Sequence, residues 1–357
     1  GRDRAAAGGR SGHSLMPIAL DARWLQQPLH GIARYTLNLL RYLPLDSRQP
    51  LLVLYNREDF EPAAEEGLER PGLIWIDCRI PLFAKEEAWA MTRLLRRLKP
   101  RLLHVPAYWK PYASPSPWLM TVHDLIHLDE PKLKYRMYYR WLCQQLRSAA
   151  AVITVSQASA LGIKAWSGVD AEVTYPGVEA RYRPGPPEPD ALSEWGVRCP
   201  FFLYVGNPKP HKRAELALQA SALLRAPHQL VSVGLPASGQ ADHLALQAVP
   251  EALMPTLYRT AAALLLPSRA EGFGLPGAEA TACACPVLAT DLPVLREVVP
   301  AAVHLPPDPT AWAEAMARVL DQPPELIDAA LEARRRFGCE ELGQRTAAIY
   351  RQVLDAT

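Results

Sequence analysis

Residues Pro267–Pro286 read PSRAEGFGLPGAEATACACP. The apolar run Ala262–Leu266 precedes this stretch, and the helix-compatible run Ala278–Cys285 closes it. The order is strand, glycine-rich loop, helix, as in an α/β unit with a parallel sheet. Gly272, Gly274, Pro276 and Gly277 punctuate the loop, and glycines there let backbone N–H groups approach a ligand closely. A helix N-terminus behind such a loop favours an anion such as a phosphate. Glu271 falls on the loop and Glu279 about a turn into the helix. Two carboxylates so placed suit the paired hydroxyls of a sugar or a ribose. For Glu279 the plainer alternative is a capping or salt-bridged helix residue.

Outward from this stretch the same alternation continues. Ile18–Leu20, Leu51–Tyr55, Leu73–Ile76, Leu102–Val105, Leu119–Val122 and Val152–Val155 read as buried strands. Gly31–Leu43 repeats its apolar residues at helical spacing. A second series follows residue 200, with strands at Phe201–Val205, Leu230–Val233, Ala262–Leu266, Val287–Ala289 and Val303–Leu305. Lys212–Leu224, Leu275–Cys285, Ala311–Leu320 and Glu340–Leu354 are its helices. The proline-dense Arg183–Pro189 separates the two series. The 357 residues fit two domains: residues 16–185, residues 186–339, and a terminal helical segment 340–357. Residues 1–15 are polar and rich in Gly, Ala and Arg, so they read as an expression leader, with Met16 as a natural start.

Charge divides along the same line. Residues 16–185 carry 22 Lys+Arg against 17 Asp+Glu, and residues 186–357 carry 14 against 19. The opposite signs suggest different partners for the two halves. Locally, Arg93–Lys110 interleaves Arg93, Arg96, Arg97, Lys99, Arg101 and Lys110 with Trp89, Met91, Tyr108 and Trp109. That mixture suits a peripheral contact with an anionic membrane surface, or an ordinary helix with a solvated basic face. The whole chain carries a formal charge of only +2, so nucleic acid is a poor partner. No run of about 18 apolar residues predicts a membrane-spanning helix. The six cysteines form no C-x-x-C pair. This disfavours a zinc or disulfide framework and predicts a reducing, cytoplasmic setting, with the inner membrane face as the place of any peripheral contact.

The E-G-F-G-L-P-x-x-E run resembles the paired-glutamate signature of the retaining glycosyltransferases of family 4. Other segments agree in order. Gly31-Ile-Ala-Arg-Tyr-Thr is similar to the family's first glycine loop, and Thr121-Val-His-Asp-Leu to its histidine loop. Val155-Ser156 and Tyr175-Pro-Gly-Val are similar to the end of its first domain, and Tyr204-Val-Gly-Asn-Pro-Lys-Pro-His-Lys212 to the entry of its second. Leu257-Tyr-Arg, Pro286-Val-Leu-Ala-Thr and Glu297 also match. The resemblance implies the GT-B fold, in which two Rossmann-like domains with parallel sheets face a central cleft. It implies an acceptor domain at 16–185, a nucleotide-sugar donor domain at 186–339, and a C-terminal helix that crosses back to the first.

The resemblance also implies roles. Glu279 would bind the ribose hydroxyls, and Glu271 the donor-sugar hydroxyls near the reacting centre. Backbone amides of Phe273, Gly274 and Leu275 would hold sugar and diphosphate. Lys212 would neutralise the diphosphate, with Gly206 and Lys209 in the same loop and Gly31 opposite. His123 would approach the donor sugar from across the cleft. A lysine and helix-terminal N–H groups are what a departing diphosphate requires. The sequence departs from the family pattern at four places. Asn207 stands where an Arg is frequent, Arg213 where Asn is usual, and Ala33 and Ala284 where Gly is common. Lys209 is a candidate for the charge absent at Asn207.

No D-x-D and no zinc spacing occur, so neither a metal nor another cofactor is expected. The P-loop and G-x-S-x-G patterns are also absent. The expected activity is retaining, metal-independent transfer of a hexose, best guess mannose from GDP-mannose, to a glycan or lipid-linked saccharide in polysaccharide or lipopolysaccharide biosynthesis. Glucosyl or rhamnosyl transfer, a sugar-nucleotide epimerase of similar fold, and a non-catalytic sugar-nucleotide-binding subunit stay open as alternatives.

Overall fold

The computed structural model describes residues 17–26, 31–45, 50–126 and 133–357, with side chains in its third helix from Met137 onward. The leader 1–15 and Met16 lie outside the described residues.

The first sheet contains β1 (Ile18–Asp21), β2 (Leu51–Tyr55), β3 (Leu73–Asp77), β4 (Leu102–Val105), β5 (Trp118–Val122), β6 (Ala151–Thr154) and β7 (Glu172–Val173). Their spatial order is β3-β2-β1-β4-β5-β6-β7. The crossover helices are α1 (Gly31–Tyr42), α2 (Glu87–Leu98), α3 (Leu133–Ser148) and α4 (Gln157–Ser167). The second sheet contains β8 (Phe201–Val205), β9 (Gln229–Val233), β10 (His243–Leu246), β11 (Ala263–Leu266), β12 (Val287–Thr290) and β13 (Val303–Leu305), ordered β10-β9-β8-β11-β12-β13. Around it lie α5 (Pro189–Ser193), α6 (Ala214–Leu223), α7 (Met254–Thr260), α8 (Leu275–Ala282), α9 (Pro293–Val298), α10 (Pro309–Asp321) and α11 (Ile327–Phe337), followed by α12 (Cys339–Asp355).

Strand pairing is parallel in both sheets, as between β1 and β2 or β8 and β11. Parallel strands are covered on both faces, which is why LLVLY at β2 and FFLYV at β8 are continuous apolar runs rather than alternating ones. Each sheet reverses its winding once, between β1 and β4 and between β8 and β11. The crevice outside the carboxyl ends of strands at such a reversal is where open α/β sheets bind ligands. Gly206 follows β8 and Glu271 follows β11, at the second sheet's reversal, and His123 follows β5, one strand from the first sheet's reversal, so both halves present their candidate residues at the carboxyl ends of their strands.

The structure adds β7 and β10 to the expected strands. It also ends α8 at Ala282 rather than at Cys285, because Ala284 turns left-handed with φ 59° and steers the chain into β12. Arg213, just before α6, is left-handed as well, with φ 45°. Both sites are departures from the family pattern, and both carry a side chain where Gly or Asn adopts the conformation more cheaply.

The last helix returns to the first domain. It packs on α1 so tightly that a Cβ at Gly343 would overlap the carbonyl oxygen of Tyr42. Tyr350 OH lies 2.6 Å from His104 Nδ1, and His104 Nε2 lies 2.9 Å from Thr121 Oγ1. Burial holds the His104 imidazole down at about 3, with His123 adding to the effect. Where the chain first leaves the first domain and where it returns, the two passages touch. Val178 N–H donates to Phe337 O at 2.6 Å, and Val178 forms a parallel bridge with Gly338.

Candidate active site

The β11–α8 loop meets the β5 loop face to face. A Cβ at Gly272 would overlap the His123 carbonyl oxygen and lie 3.0 Å from its carbon and 3.2 Å from Asp124 Cβ. Glycine at 272 is therefore a condition of contact between the domains. Its own carbonyl accepts hydrogen bonds from Ser156 Oγ at 2.8 Å and Ser159 Oγ at 3.2 Å, at the start of α4. The Ser156 hydroxyl also caps α4, accepting from Ser159 N at 3.0 Å. Nearby, the Glu297 carboxylate of α9 accepts from Gln157 N at 2.8 Å, Ala158 N at 3.0 Å and Tyr175 OH at 3.1 Å. A carboxylate on free N–H groups at a helix N-terminus is a favourable charge arrangement, and here it ties the two domains together.

Glu271 and Lys212 come together. Lys212 Nζ donates to both carboxylate oxygens at 2.7 and 2.9 Å, and Ser268 Oγ donates at 2.6 Å. The N–H groups of Phe273, Gly274 and Leu275 make no hydrogen bond among the described residues. They stand at the N-terminal turn of α8, where such donors are left over by the helix itself. Gly274 has φ 88°, a left-handed residue that delivers the chain into that helix. The Phe273 ring is buried against Tyr175 and Phe337, so its side chain anchors the loop. Gly206 N–H is spent on Val233 O at 3.0 Å. Lys209 is exposed, and so is Gly31 at the first residue of α1, where a Cβ would meet nothing within 4 Å. His211, next to Lys212, has its imidazole held below its ordinary value by burial and then by Lys212.

Glu279 is 1% exposed. Its Oε1 accepts from Arg34 Nη2 at 2.7 Å, and its Oε2 from Tyr258 OH at 3.0 Å. Burial pushes the Glu279 carboxyl up, against the opposing pull of Arg34 and Tyr258. His123 Nε2 lies 2.9 Å from Pro106 O, and its ring stands edge-on to Tyr35 at 4.9 Å. A carbonyl only accepts, so Nε2 carries the proton in this arrangement.

Five contributors lay outside the residues singled out for roles: Arg34, Ser156, Tyr258, Glu297 and Gly234. The last has φ 91°, and a Cβ there would come within 2.9 Å of Gly206 O. The segments holding Arg34, Ser156, Tyr258 and Glu297 were visible as motifs, but their pairing across the cleft was not.

The basic patch needs one correction. Lys110 is buried, donating to Tyr112 O at 2.6 Å and standing 4.2 Å from the centre of the Trp118 ring. Burial lowers its ammonium to about 8. Met91 and Leu95 are also buried. What faces outward is Trp89, Arg93, Arg96, Arg97 and Lys99, beside a groove of about 580 Å³ between α2 and Pro111–Ala113. Among the described residues no helix is long and apolar enough to cross a membrane.

Two parallel Rossmann sheets closing on a carboxylate, lysine and glycine-loop cluster define a glycosyltransferase of GT-B type. The profile described as Glycosyltransferase Family 4 matches residues 29–182, and the profile described as Glycosyl transferases group 1 matches residues 199–322. The chain belongs to this family of glycosyltransferases. It is similar to the O-antigen chain mannosyltransferase B of Escherichia coli, 27% identical over 330 residues that cover 80% of this chain and 84% of that protein. The D-inositol 3-phosphate glycosyltransferase of Thermobispora bispora is 31% identical over 222 residues, 51% of this chain and 50% of that one. The chain thus spans about half the length of this second relative. Among solved structures, Anabaena HepE in complex with UDP-glucose superposes with a TM-score of 0.75 at 17% identity, over 94% of this chain and 99% of that one.

Proposed function

We propose that the chain moves mannose from GDP-mannose onto a glycan or lipid-linked saccharide, with retention of anomeric configuration and without a metal ion. The donor reading leans on the likeness to an O-antigen chain mannosyltransferase across both domains. The observation that carries the reaction is the Lys212–Glu271 pair beside the free N–H groups of Phe273, Gly274 and Leu275. Glu271 takes hydroxyls of the donor sugar, and Glu279 takes the ribose diol. Lys212 and the α8 amides take the diphosphate, with Gly206, Lys209 and Gly31 bordering it, and His123 faces the sugar from the first domain.

In the reaction the acceptor oxygen bonds to the anomeric carbon on the face from which the diphosphate departs. The bond from that carbon to the phosphate oxygen breaks, and the acceptor's proton leaves with the diphosphate. Charge grows on the leaving group, where a fixed lysine and preorganised amides stabilise the transition state more than the ground state. Closure of the two loops excludes the water that would otherwise hydrolyse the donor. A lipid-linked acceptor would be met at an anionic membrane surface, for which Trp89, Arg93, Arg96 and Arg97 form the contact.

The test is a thermal-shift panel of GDP-mannose, UDP-glucose, UDP-GlcNAc and dTDP-rhamnose, with and without EDTA. A ligand that binds only the folded chain raises its melting temperature. GDP-mannose should do so, and EDTA should not change the shift. Glu271→Gln should abolish transfer and leave the melting temperature nearly unchanged. A shift with another nucleotide sugar alone replaces the donor, loss of the shift in EDTA removes metal independence, and an inverted product by NMR removes retention.

A further inference from the structure

Arg34 lies on α1, three residues beyond Gly31, yet its guanidinium ends in the opposite domain. Nη2 donates to Glu279 Oε1 at 2.7 Å and to Tyr182 OH at 3.2 Å. On the other side of the carboxylate, Tyr258 OH donates to Oε2 at 3.0 Å. The Tyr182 and Tyr258 rings stand edge to face at 5.9 Å, so the two hydroxyls and the guanidinium form one packed frame around Glu279. The Glu279 side chain is 2% exposed and that of Arg34 25%.

Each carboxylate oxygen accepts two hydrogen bonds. Arg34 fills one place on Oε1 and Tyr258 one on Oε2, which leaves one acceptor place on each oxygen. That is the pattern a vicinal diol satisfies with its two hydroxyls, entering before the cleft shuts, since the shut arrangement leaves the side chain 2% exposed. The carboxylate has little freedom to present any other pattern, because a group on each side fixes its plane. Burial alone favours the neutral acid, which would turn one acceptor into a donor, and Arg34 is the cation that opposes this.

The geometry points to Arg34 as a positioning residue for the nucleotide ribose: it reaches across the cleft to fix the plane of Glu279, so that the ribose diol is recognised in full only when the two domains are shut. This rests on the reading of Glu279 as the ribose ligand. Because the guanidinium belongs to the first domain and the carboxylate to the second, opening the cleft separates them. Ribose recognition thereby becomes a report of closure, and a nucleotide held by the second domain alone is held less selectively.

The experiment compares GDP with 2′-deoxy-GDP, and UDP with 2′-deoxy-UDP, by titration calorimetry on the full chain. It uses the wild type, Arg34→Gln, Arg34→Lys and Glu279→Gln, each with its melting temperature recorded. A hydrogen bond to a charged acceptor corresponds to a preference of about tenfold or more, so the wild type should favour the ribonucleotide by about that factor. Arg34→Gln should lose most of the preference while binding the deoxynucleotide nearly as the wild type does. Arg34→Lys, which keeps the cation, should restore most of it. An ion pair that only braces the domains would change melting temperature or both affinities together and leave the ratio alone. If Glu279→Gln collapses the ratio and Arg34→Gln does not, the inference fails while the ribose reading stands. If Glu279→Gln leaves the ratio intact, or the wild type binds neither nucleotide, the ribose reading falls and the inference with it. Should Arg34→Gln fail to fold, the Arg34→Lys ratio still decides: a ratio as low as that of Glu279→Gln would overturn the role of the cation.

Discussion

Replacing Gly272 with alanine isolates what domain contact contributes to the reaction. The added methyl would overlap the His123 carbonyl oxygen and lie 3.0 Å from its carbon. The oxygen projects about 1.2 Å from that carbon toward the methyl, so the loops must part by roughly 1 Å before the contact becomes tolerable. Gly272 is not in the left-handed region, so the substitution adds steric overlap and no backbone strain. A displacement of that size carries the Ser156 and Ser159 hydroxyls, now at 2.8 and 3.2 Å, out of hydrogen-bond range of the Gly272 carbonyl. Two such bonds are together worth about 2 kcal/mol, which lowers the closed-to-open ratio roughly thirtyfold. An independent route gives a similar figure, since a 1 Å misplacement of reacting groups costs about a hundredfold. Gly272→Ala should therefore lower kcat by about 30- to 100-fold in a transfer assay with the nucleotide sugar that the thermal-shift panel selects. Small-angle scattering should show a more open particle, and the melting temperature should move little, because opening relieves the clash without unfolding either sheet. A variant with wild-type kcat and an unchanged scattering profile would refute the reasoning.

Three further expectations follow from other parts of the molecule. His104 is neutral in the folded chain, with its imidazole held at about 3, so the unfolded chain binds more protons below its ordinary value of 6.5; the stabilisation is complete above pH 6.5 and is lost toward pH 3 at up to about 1.4 kcal/mol per pH unit. Denaturant titrations from pH 7 to 4 should show that slope, and His104→Asn should flatten it; equal slopes would remove His104 as the acid-sensitive group. Ala284→Gly and Arg213→Asn should each stabilise by roughly 0.5–1 kcal/mol, because relief of the left-handed strain exceeds the entropy that a freer unfolded chain adds; a lower denaturation midpoint in either would contradict this. Charge reversal at Arg93, Arg96 and Arg97 should abolish sedimentation with vesicles containing anionic phosphatidylglycerol and leave nucleotide-sugar binding unaltered; undiminished pelleting, or no pelleting of the wild type, would remove the proposed contact through these residues.

How much of this was legible follows from the range of each interaction. The strand, loop and helix around Glu271 were readable because glycine and proline mark the turn and a continuous apolar run marks a buried parallel strand. β7 was not, since two residues, Glu172–Val173, display no period. β10, HLAL, lies at the sheet edge with only Leu246 buried, and nothing in four residues separates it from a loop. Glu271 could be found from local spacing, and Lys212 from its own phosphate-type loop. The Arg34–Glu279 pair could not, because 245 positions separate its partners and no local pattern encodes that meeting. Ala284 stands between these cases. The sequence exposed it as a departure, and only the φ of 59° gave the departure a physical meaning.

The contact between Val178 and Phe337–Gly338 has a mechanical consequence. A lobe joined to its neighbour by one strand of chain can swivel about every axis. Here the polypeptide crosses twice, and the crossings are bonded side by side, so they behave as one pin through two knuckles. The easy movement left to the lobes is a swing about that pin. Such a swing brings distant points together along an arc while points near the pin hardly travel. The loop at Gly272 sits close to the pin, because Phe273 beside it packs on Phe337 and Tyr175, so a small parting there becomes, as between the handles of pliers, a larger opening farther out along the cleft.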